Sequence, residues 1–463
     1  MSLIERKGPG GTTRRTFLTA ATAASLGLVL GDKAQAREIR EALEELHEAP
    51  KVARPQSAND RIRFACIGVG GKGDSDSADA ARFGDIVAIC DVDDNTIANA
   101  KKKYPNAKVY NDYRKMLDEM SKDIDAVTVS TPDHHHYAAS AQAMLLGKHV
   151  YCQKPLVHSV QEARKMAEIA RRMKVQTQMG NQGTPESGLR KQAAQVRAGI
   201  IGTVKEMHVW TNRPIWPQGA ARGAEKAVPS HLHWDQWLGP APERPFADGY
   251  HTFSWRGWWD FGTGALGDMG CHTLNMPFMG LDLRDPIRVT AQTSGHDNDY
   301  IPSWSIVKYE FDKTDTRPGL VFHWYDGNKK PAAELLEGEP MADSGSLLIG
   351  EKGKIYIPGD YGSGGEVIGG IEIPPVEYEQ SPGHFAEWVR AIREGKTAVS
   401  NFPGYAGPLT EMVLAGNLAV RANGPTIEWD AKRMRIRNIG SIENRAILET
   451  MIKPKYRKGW RMP

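Results

Sequence analysis

A glycine-rich turn between a predicted strand and a predicted helix narrows the possible folds of this chain more than any other feature. The apolar run 62–67 predicts a buried strand, and residues 75–82 predict a helix. Between them, Gly68, Gly70 and Gly73 stand in the order G-x-G-x-x-G. In this position the pattern is typical of a dinucleotide-binding turn, because it lets the backbone turn tightly, approach a pyrophosphate and pack helix against strand.

An acidic residue, Asp91, follows the next predicted strand, 85–90, and stands 18 residues after Gly73. A carboxylate at this point accepts hydrogen bonds from a ribose 2'-hydroxyl and repels a 2'-phosphate. Val92 and Asp93 come next, so no arginine is present there for a 2'-phosphate. We therefore expect NAD rather than NADP as the cofactor. The expected contacts of this half of the cofactor are Gly68, Gly70, Gly71, Gly73 and Asp91.

The pattern of elements along the chain predicts an α/β fold in two domains. Strand-like and helix-like segments alternate over 61–182, which indicates a Rossmann-type, doubly wound parallel sheet with helices on both faces. Over 183–463 the strands have mixed spacing, which indicates an α+β domain with an open, largely antiparallel sheet. The first domain is expected to bind NAD and the second to bind substrate. Within the second, the glycine-rich segment 359–370 is predicted to be a mobile surface loop.

The N-terminal residues 1–36 have the features of an export signal rather than of a fold element. Residues 13–18 contain a twin arginine, an apolar stretch 17–30 follows, and Ala34-Gln35-Ala36 is a small-residue cleavage site. The apolar stretch is shorter than the ~20 residues of a membrane-spanning helix. We expect cleavage near Ala36, export by the twin-arginine route to the periplasm or beyond, and no stable membrane insertion. Residues 37–60 are predicted to be a linker arm.

The charge of the chain argues against nucleic acid as a partner. Lys and Arg total 59 and Asp and Glu total 56, a formal net charge of +3, and no long basic stripe is present. The four cysteines are too few for a disulfide framework in a chain of 463 residues.

Three further motifs resemble those of the Gfo/Idh/MocA oxidoreductases, the glucose-fructose oxidoreductase and inositol dehydrogenase type. Residues 131–136, TPDHHH, are similar to its T-P-x-x-x-H loop. Residues 147–155, GKHVYCQKP, are similar to G-K-H-V-x-x-E-K-P, and residues 264–272, GALGDMGCH, to G-x-x-x-D-x-G-x-H. The resemblance covers essentially the whole mature chain and implies oxidation of a sugar hydroxyl. It also implies that Thr131, Pro132 and His136 line the nicotinamide side of the cofactor.

Lys154, Asp268 and His272 are the candidate catalytic residues. Lys154 follows a predicted strand at the sheet edge where ligands of such folds bind. Asp268 and His272 are four residues apart, which places them on one face of a helix. Removal of hydride from a secondary alcohol needs a group that accepts the hydroxyl proton, and histidine suits that task. The resemblance implies that Lys154 and His272 share this work, with Lys154 also at the cofactor, and that Asp268 orients the substrate.

One position departs from the family pattern, because Gln153 stands where glutamate is usual. Glutamine keeps the hydrogen bonding but removes a negative charge from beside Lys154. The three consecutive histidines 134–136 do not predict a metal site, since adjacent histidines in a loop rarely converge on one ion. We expect no metal.

The segment 210–259 is rich in tryptophan, arginine and histidine and is the predicted sugar-binding region. Tryptophan faces stack on pyranose rings, whereas other tryptophans fill protein cores, so we expect these side chains to divide between the two. The expected substrate contacts are Trp255, Arg256, Trp258, Asp268 and His272.

The expected compartment bears on the reaction, because free NAD is not expected outside the cytoplasm. A cofactor exported with the folded protein favours a redox-neutral cycle with tightly bound, internally recycled NAD. Two versions fit: hydride transfer between two sugars, or transient oxidation that permits elimination at a glycosidic bond, unlike the two-carboxylate scheme of most glycosidases. A non-catalytic sugar-binding relative is the alternative from another class. By resemblance, the chain is expected to form a homo-oligomer.

Overall fold

The computed structural model describes residues 61–462. The predicted signal peptide, its cleavage site at Ala36 and the predicted linker arm 37–60 lie outside the described residues. No helix between residues 61 and 462 is long and apolar enough to cross a membrane.

The first sheet has six strands in the order β3-β2-β1-β4-β5-β6, and all its neighbouring pairs are parallel. The inner strands are continuous apolar runs because helices cover both faces; all four residues of β4 are buried. Strands β2 and β3 are added on one side of β1, and strands β4 to β6 on the other. This switch in strand order between β1 and β4 opens a crevice at their carboxyl ends. Strands β1 to β6 are Ile62–Ile67, Gly84–Cys90, Lys108–Tyr110, Ala126–Val129, His149–Cys152 and Thr177–Met179.

Side-chain caps fix the starts of several helices around this sheet. The carboxylates of Asp93 and Asp112 accept backbone N–H groups at the starts of α2 and α3. Ser159 and Glu162 form a capping box at the start of α5. Helices α1 to α6 are Lys72–Ala81, Asp94–Lys103, Tyr113–Met120, Asp133–Leu145, Val160–Met173 and Ser187–Arg197.

The second sheet has nine strands in the order β13-β12-β11-β7-β10-β9-β8-β14-β15. Only β7 and β10 pair in parallel; the other neighbours are antiparallel. Buried and more exposed residues alternate along β9 and β10, as expected where helices cover one face. Strands β7 to β15 are Val204–Trp210, Arg288–Thr293, Ser305–Phe311, Leu320–Tyr325, Gly345–Gly350, Lys354–Pro358, Glu366–Ile368, Ile427–Asp430 and Arg435–Ile436.

Six helices complete the part of the chain that the structure describes. The long helix α11 lies against β8 and β9 on the covered face of the second sheet. Helices α7 to α12 are Trp234–Leu238, Gly264–Thr273, Asn275–Leu281, His384–Glu394, Gly407–Ala422 and Arg445–Ile452. The two sheets and their helices confirm the predicted fold class, a doubly wound parallel sheet followed by an α+β region.

Two local predictions were wrong. Helix α4 begins at Asp133, so the three histidines lie in its first turn and not in a loop. Proline and an acidic residue favour this start, because proline lacks an amide hydrogen that would be unpaired there and the carboxylate suits the helix N-terminus. The segment 359–370 is not simply a surface loop, since it contains β13 and its Asp360 contacts Arg213 at 3.4 Å.

Candidate active site

A cavity of about 540 Å³ lies at the carboxyl ends of β1, β2, β4 and β5. Its walls come from both parts of the chain, because α8 and the segment before it close the side opposite the parallel sheet. The residues from the sequence prediction that line it are Gly68, Gly70, Gly71, Asp91, Thr131, Pro132, Lys154, Trp255, Arg256, Asp268 and His272. The crevice at the switch in strand order is thus a single site with candidate cofactor and catalytic groups.

The glycine-rich turn forms the floor of one end of the cavity. Gly68 has φ +76°, and a Cβ atom there would lie 2.5 Å from the Ser130 carbonyl oxygen, so no side chain fits. A Cβ atom on Gly73 would lie 2.0 Å from the Gly68 carbonyl oxygen. Gly73 therefore packs α1 against the turn and does not line the cavity, which corrects its assignment as a cofactor contact. Gly70, Gly71 and the start of α1 face the space that a pyrophosphate needs.

Asp91 stands at the end of β2 with its carboxylate held in place by the backbone. Its oxygens accept the N–H groups of Val69 at 2.9 Å and Asp93 at 3.1 Å. Burial raises the pKa of Asp91, although the two N–H groups favour its ionised form. Both contacts hold the carboxylate at the edge of the cavity, in position for a ribose hydroxyl.

Gln153 does not contact Lys154 through its side chain; it binds a buried carboxylate beneath the glycine-rich turn. Its amide Nε2 donates to Asp76 at 2.8 Å, and the Ser130 hydroxyl donates to the same oxygen at 2.7 Å. The ammonium of Lys72, which lines the cavity, binds the other oxygen of Asp76. The neutral amide at position 153 thus lets a carboxylate on α1 stay buried with three donors around it.

Lys154, Arg256 and Asp268 form one partly buried charge cluster in the cavity wall. The Lys154 ammonium lies 2.7 Å and the Arg256 guanidinium 3.0 Å from the same Asp268 oxygen. Burial raises the pKa of Asp268, but the charges of Lys154 and Arg256 outweigh it and hold that pKa well below its usual range. Asp268 is therefore ionised at neutral pH, and the cluster has a net positive charge.

His272 lies one helical turn after Asp268 on α8 and is 3% exposed. Burial and the nearby charge of Lys154 lower its pKa well below the usual value, so the imidazole is neutral at neutral pH. Its Nδ1 atom has no hydrogen-bond partner among the described residues. The ring of Tyr361 meets the imidazole edge-on, with centroids 4.9 Å apart. A neutral imidazole lining a cavity can accept a proton.

The predicted substrate contacts divide into two groups. Trp255 and Arg256 line the cavity, and the guanidinium lies 4.1 Å from the centre of the Trp255 ring. Trp258 does not line it: its indole packs in an aromatic cluster with Tyr250 and its N–H donates to the Gly249 carbonyl at 3.2 Å. Trp258 is therefore a core residue, and its assignment as a substrate contact was wrong.

The histidines of α4 are held by backbone carbonyl groups. His136 is buried and does not line the cavity, because its ring nitrogens lie 2.8 Å from the carbonyl oxygens of Pro155 and Thr131. His136 joins the loops after β4 and β5 and so positions Lys154. The assignment of His136 as a cofactor contact is therefore corrected. His134 and His135 both reach the Trp237 carbonyl. Across residues 61–462, no three His, Cys, Asp or Glu side chains are placed to hold a metal ion.

Among the lining residues that were not predicted site residues, four come from distant parts of the chain. Gln182 and Arg213 come from the start of the second region, and Tyr361 from the segment predicted to be a surface loop. Trp460 comes from the C-terminal tail. None of them stands in a recognisable spacing, so only the tertiary structure identifies them.

The residues present fit a bound NAD. The space beside Gly71 is open, with nothing within 4 Å of where a Cβ atom would lie. Asp91 is placed for a ribose, and the Thr131 hydroxyl at the other end of the cavity has no hydrogen-bond partner among the described residues. Gly68, Gly70, Gly71, Asp91, Thr131 and Lys154 are the residues that would hold it.

Comparisons with known proteins agree with this site. The sequence profile described as "Oxidoreductase family, NAD-binding Rossmann fold" matches residues 62–181, and the profile described as "Oxidoreductase family, C-terminal alpha/beta domain" matches residues 196–462.

Three curated relatives match parts of the chain. D-glucoside 3-dehydrogenase of Escherichia coli is 32% identical over 115 residues, which is 24% of this chain and 32% of that protein. Rhizopine catabolism protein MocA of Rhizobium meliloti is 30% identical over 186 residues, 38% of this chain and 57% of that protein. An alpha-N-acetylgalactosaminidase of Shewanella oneidensis is 31% identical over 180 residues, 34% of this chain and 37% of that protein. The chain thus matches less than two thirds of the length of each relative.

Solved structures share the fold at low identity. The WlbA dehydrogenase from Bordetella pertussis, in complex with NADH and UDP-GlcNAcA, has a TM-score of 0.57 and 16% identity, covering 80% of this chain and 99% of that one. A levoglucosan dehydrogenase in complex with NADH and L-sorbose has a TM-score of 0.55 and 15% identity, covering 80% and 99%. Because the two profiles match most of the sequence, the chain belongs to the Gfo/Idh/MocA family of NAD-binding oxidoreductases.

Proposed function

We propose that the protein oxidises a secondary hydroxyl of a sugar or sugar derivative in an NAD-dependent reaction. One observation carries the proposal: the neutral imidazole of His272 and the Lys154–Asp268 ion pair line the same cavity as the glycine-rich turn. Bound NAD supplies the site that accepts the hydride. The protein supplies the groups that hold the alcohol and take its proton.

The three side chains have different tasks in this proposal. Lys154 donates a hydrogen bond to the substrate hydroxyl oxygen and stabilises negative charge that develops there as the O–H proton leaves. His272 accepts that proton, for which it must be neutral beforehand. Asp268 stays ionised and binds both Lys154 and Arg256, which holds the two cations side by side in the cavity wall. Arg256 and Trp255 offer a hydrogen-bonding group and an apolar ring face to a pyranose.

We further propose that the cofactor stays bound and is recycled, so that a later reduction in the same cycle returns the hydride. The support is the twin-arginine pattern at residues 13–18, because a protein that is exported folded has no supply of free NAD. The same pattern supports a periplasmic or otherwise exported product. The family resemblance also supports a homo-oligomer.

A second candidate is a nicotinamide-dependent glycosidase, in which transient oxidation permits elimination at a glycosidic bond. The observation that favours it is the 31% identity to a relative named alpha-N-acetylgalactosaminidase. The two candidates share the oxidation step and differ in whether an aglycone leaves.

One experiment separates these functions. Purified mature protein is assayed for bound nicotinamide after acid release and is then mixed with a panel of free sugars and aryl glycosides. The proposal expects stoichiometric cofactor and a rise in reduced-nicotinamide absorbance with at least one free sugar. Release of aglycone from a glycoside, abolished by Lys154→Met, would instead support the glycosidase.

The matched control is Lys165→Met, which removes a surface lysine paired with Glu168. A protein whose sugar binding is unchanged by Lys154→Met and that never reduces its cofactor is a non-catalytic sugar-binding relative. Cofactor-free protein that turns over only with added NAD would contradict the proposal that the cofactor stays bound and is recycled. It would not contradict the proposed sugar oxidation.

A further inference from the structure

The last residues of the described chain fold back onto the dinucleotide-binding region. The Arg457 guanidinium donates to the Asp235 carboxylate at 2.7 Å and to the Gly239 carbonyl at 2.6 Å. The Tyr456 hydroxyl donates to the buried Glu162 carboxylate on α5. These contacts anchor the tail at two separate places.

The indole of Trp460, three residues after Arg457, is 9% exposed and lines the cavity. The Arg114 guanidinium lies 4.1 Å from its ring centre, and the rings of Tyr113 and His135 lie at 6.0 and 5.8 Å. The Arg114 guanidinium is itself fixed by three hydrogen bonds to the Asp112 carboxylate, at 2.9, 3.1 and 2.6 Å. The indole is therefore held in one position rather than resting loosely on the surface.

The position of this indole identifies which end of the cavity it closes. Asp91 follows β2, and Asn111 to Tyr113 follow β3. In a doubly wound sheet these first strands take the adenosine half of a dinucleotide, and the later strands take the other half. Lys154 follows β5, so it lies at the nicotinamide end. Trp460 therefore stands at the adenine end, away from the catalytic groups.

We propose that Trp460 is a cofactor-binding residue whose indole packs against the adenine, and that residues 456–460 are an intramolecular strap that retains NAD. Aromatic side chains stack on every base because each has a π face. Since the strap is anchored by Arg457 and Tyr456, NAD can leave the adenine end only when these contacts break. This goes beyond the proposed oxidation and supplies a means of keeping one cofactor through many turnovers.

The test uses the whole mature protein, stripped of cofactor, with NAD and ADP-ribose as probes. Trp460→Ala is expected to weaken binding of both probes by about tenfold or more, as loss of one stacked base does, and to speed NAD release. Trp460→Phe keeps an aromatic face and is expected to stay within about threefold of wild type. Lys455→Ala changes an exposed residue just before the strap, and this matched control is expected to bind both probes normally.

Equal dissociation constants for ADP-ribose in wild type and Trp460→Ala overturn the proposal. A Trp460→Ala protein that melts at a lower temperature but binds ADP-ribose normally also overturns it, because the indole is then only structural. Wild-type protein that binds neither probe overturns the strap together with the assignment of NAD. The sugar-oxidation proposal has its own readout, reduction of bound cofactor, which these binding assays do not use.

Discussion

Replacement of Lys154 by methionine is expected to impair catalysis much more than folding. The cluster has two cations, Lys154 and Arg256, around one carboxylate, Asp268. Lys154→Met leaves Arg256 at 3.0 Å from that carboxylate, so the buried charge keeps a partner. We expect a loss of about 1–3 kcal/mol in the free energy of unfolding, the value of one hydrogen bond to a charged group. Asp268→Asn would leave two cations without a carboxylate and cost about 3–5 kcal/mol.

The loss of activity should be much larger than the loss of stability. A positioned acid or base contributes about 10²- to 10⁴-fold in rate, which corresponds to about 3–5 kcal/mol of activation free energy. Besides burial, the charge of Lys154 lowers the pKa of His272. Its removal therefore raises that pKa, and the acid limb of the residual activity should move to higher pH.

The assay is single-turnover reduction of bound nicotinamide by a sugar, across a pH series, with cofactor content and urea unfolding measured on the same samples. Lys165→Met serves again as the control. A rate loss of less than about tenfold at full cofactor occupancy would refute the role of Lys154. An unmoved acid limb would refute the coupling of Lys154 to His272.

Three further predictions concern the cofactor turn and the buried histidines. Gly68→Ala places a Cβ atom 2.5 Å from the Ser130 carbonyl oxygen at φ +76°. The free energy of unfolding in urea should therefore fall by about 1–3 kcal/mol, and calorimetry should detect no NAD binding. Normal NAD binding would contradict the turn geometry. Asp91→Ser should lower the preference for NAD over NADP by about tenfold or more, because the ribose loses a charged acceptor; an unchanged ratio of dissociation constants would exclude Asp91 from the ribose site. Burial lowers the pKa of His135 to about 4, below the ~6.5 of the unfolded chain, so its contribution to stability is complete above about pH 6.5. That contribution is lost as the pH falls toward about 4, by up to about 3 kcal/mol, since only the unfolded state takes up the proton; a flat pH profile of the unfolding free energy would contradict it.

The sequence predicted best the features that depend on local spacing. The strand, glycine turn and helix around Gly68, and Asp91 at the end of the next strand, follow from hydrophobic periodicity and turn chemistry. The four-residue spacing of Asp268 and His272 likewise places both on the cavity side of α8. These residues lie close together in the chain, so no distant contact was needed to place them.

The features that the sequence could not predict depend on distant contacts. The partner of Gln153 is Asp76, 77 residues earlier, and no pattern links the two positions. His136 and Trp258 stood in the expected motifs and segments, but backbone carbonyls bind their ring nitrogens, and neither side chain lines the cavity. Trp460 reaches the site because Arg457 and Tyr456 anchor the tail to residues more than two hundred positions earlier.

In the proposed reaction, hydride passes to NAD from the carbon that bears a sugar hydroxyl, while Lys154 and His272 act on the hydroxyl group. The most direct test is the absorbance of reduced nicotinamide in purified holoprotein mixed with a panel of sugars. We expect the absorbance to rise with at least one sugar in wild type and in Lys165→Met, and to rise about 10²-fold or more slowly in Lys154→Met. Fully occupied wild-type protein that stays oxidised with every sugar, or a Lys154→Met variant that is reduced as fast as wild type, would contradict it.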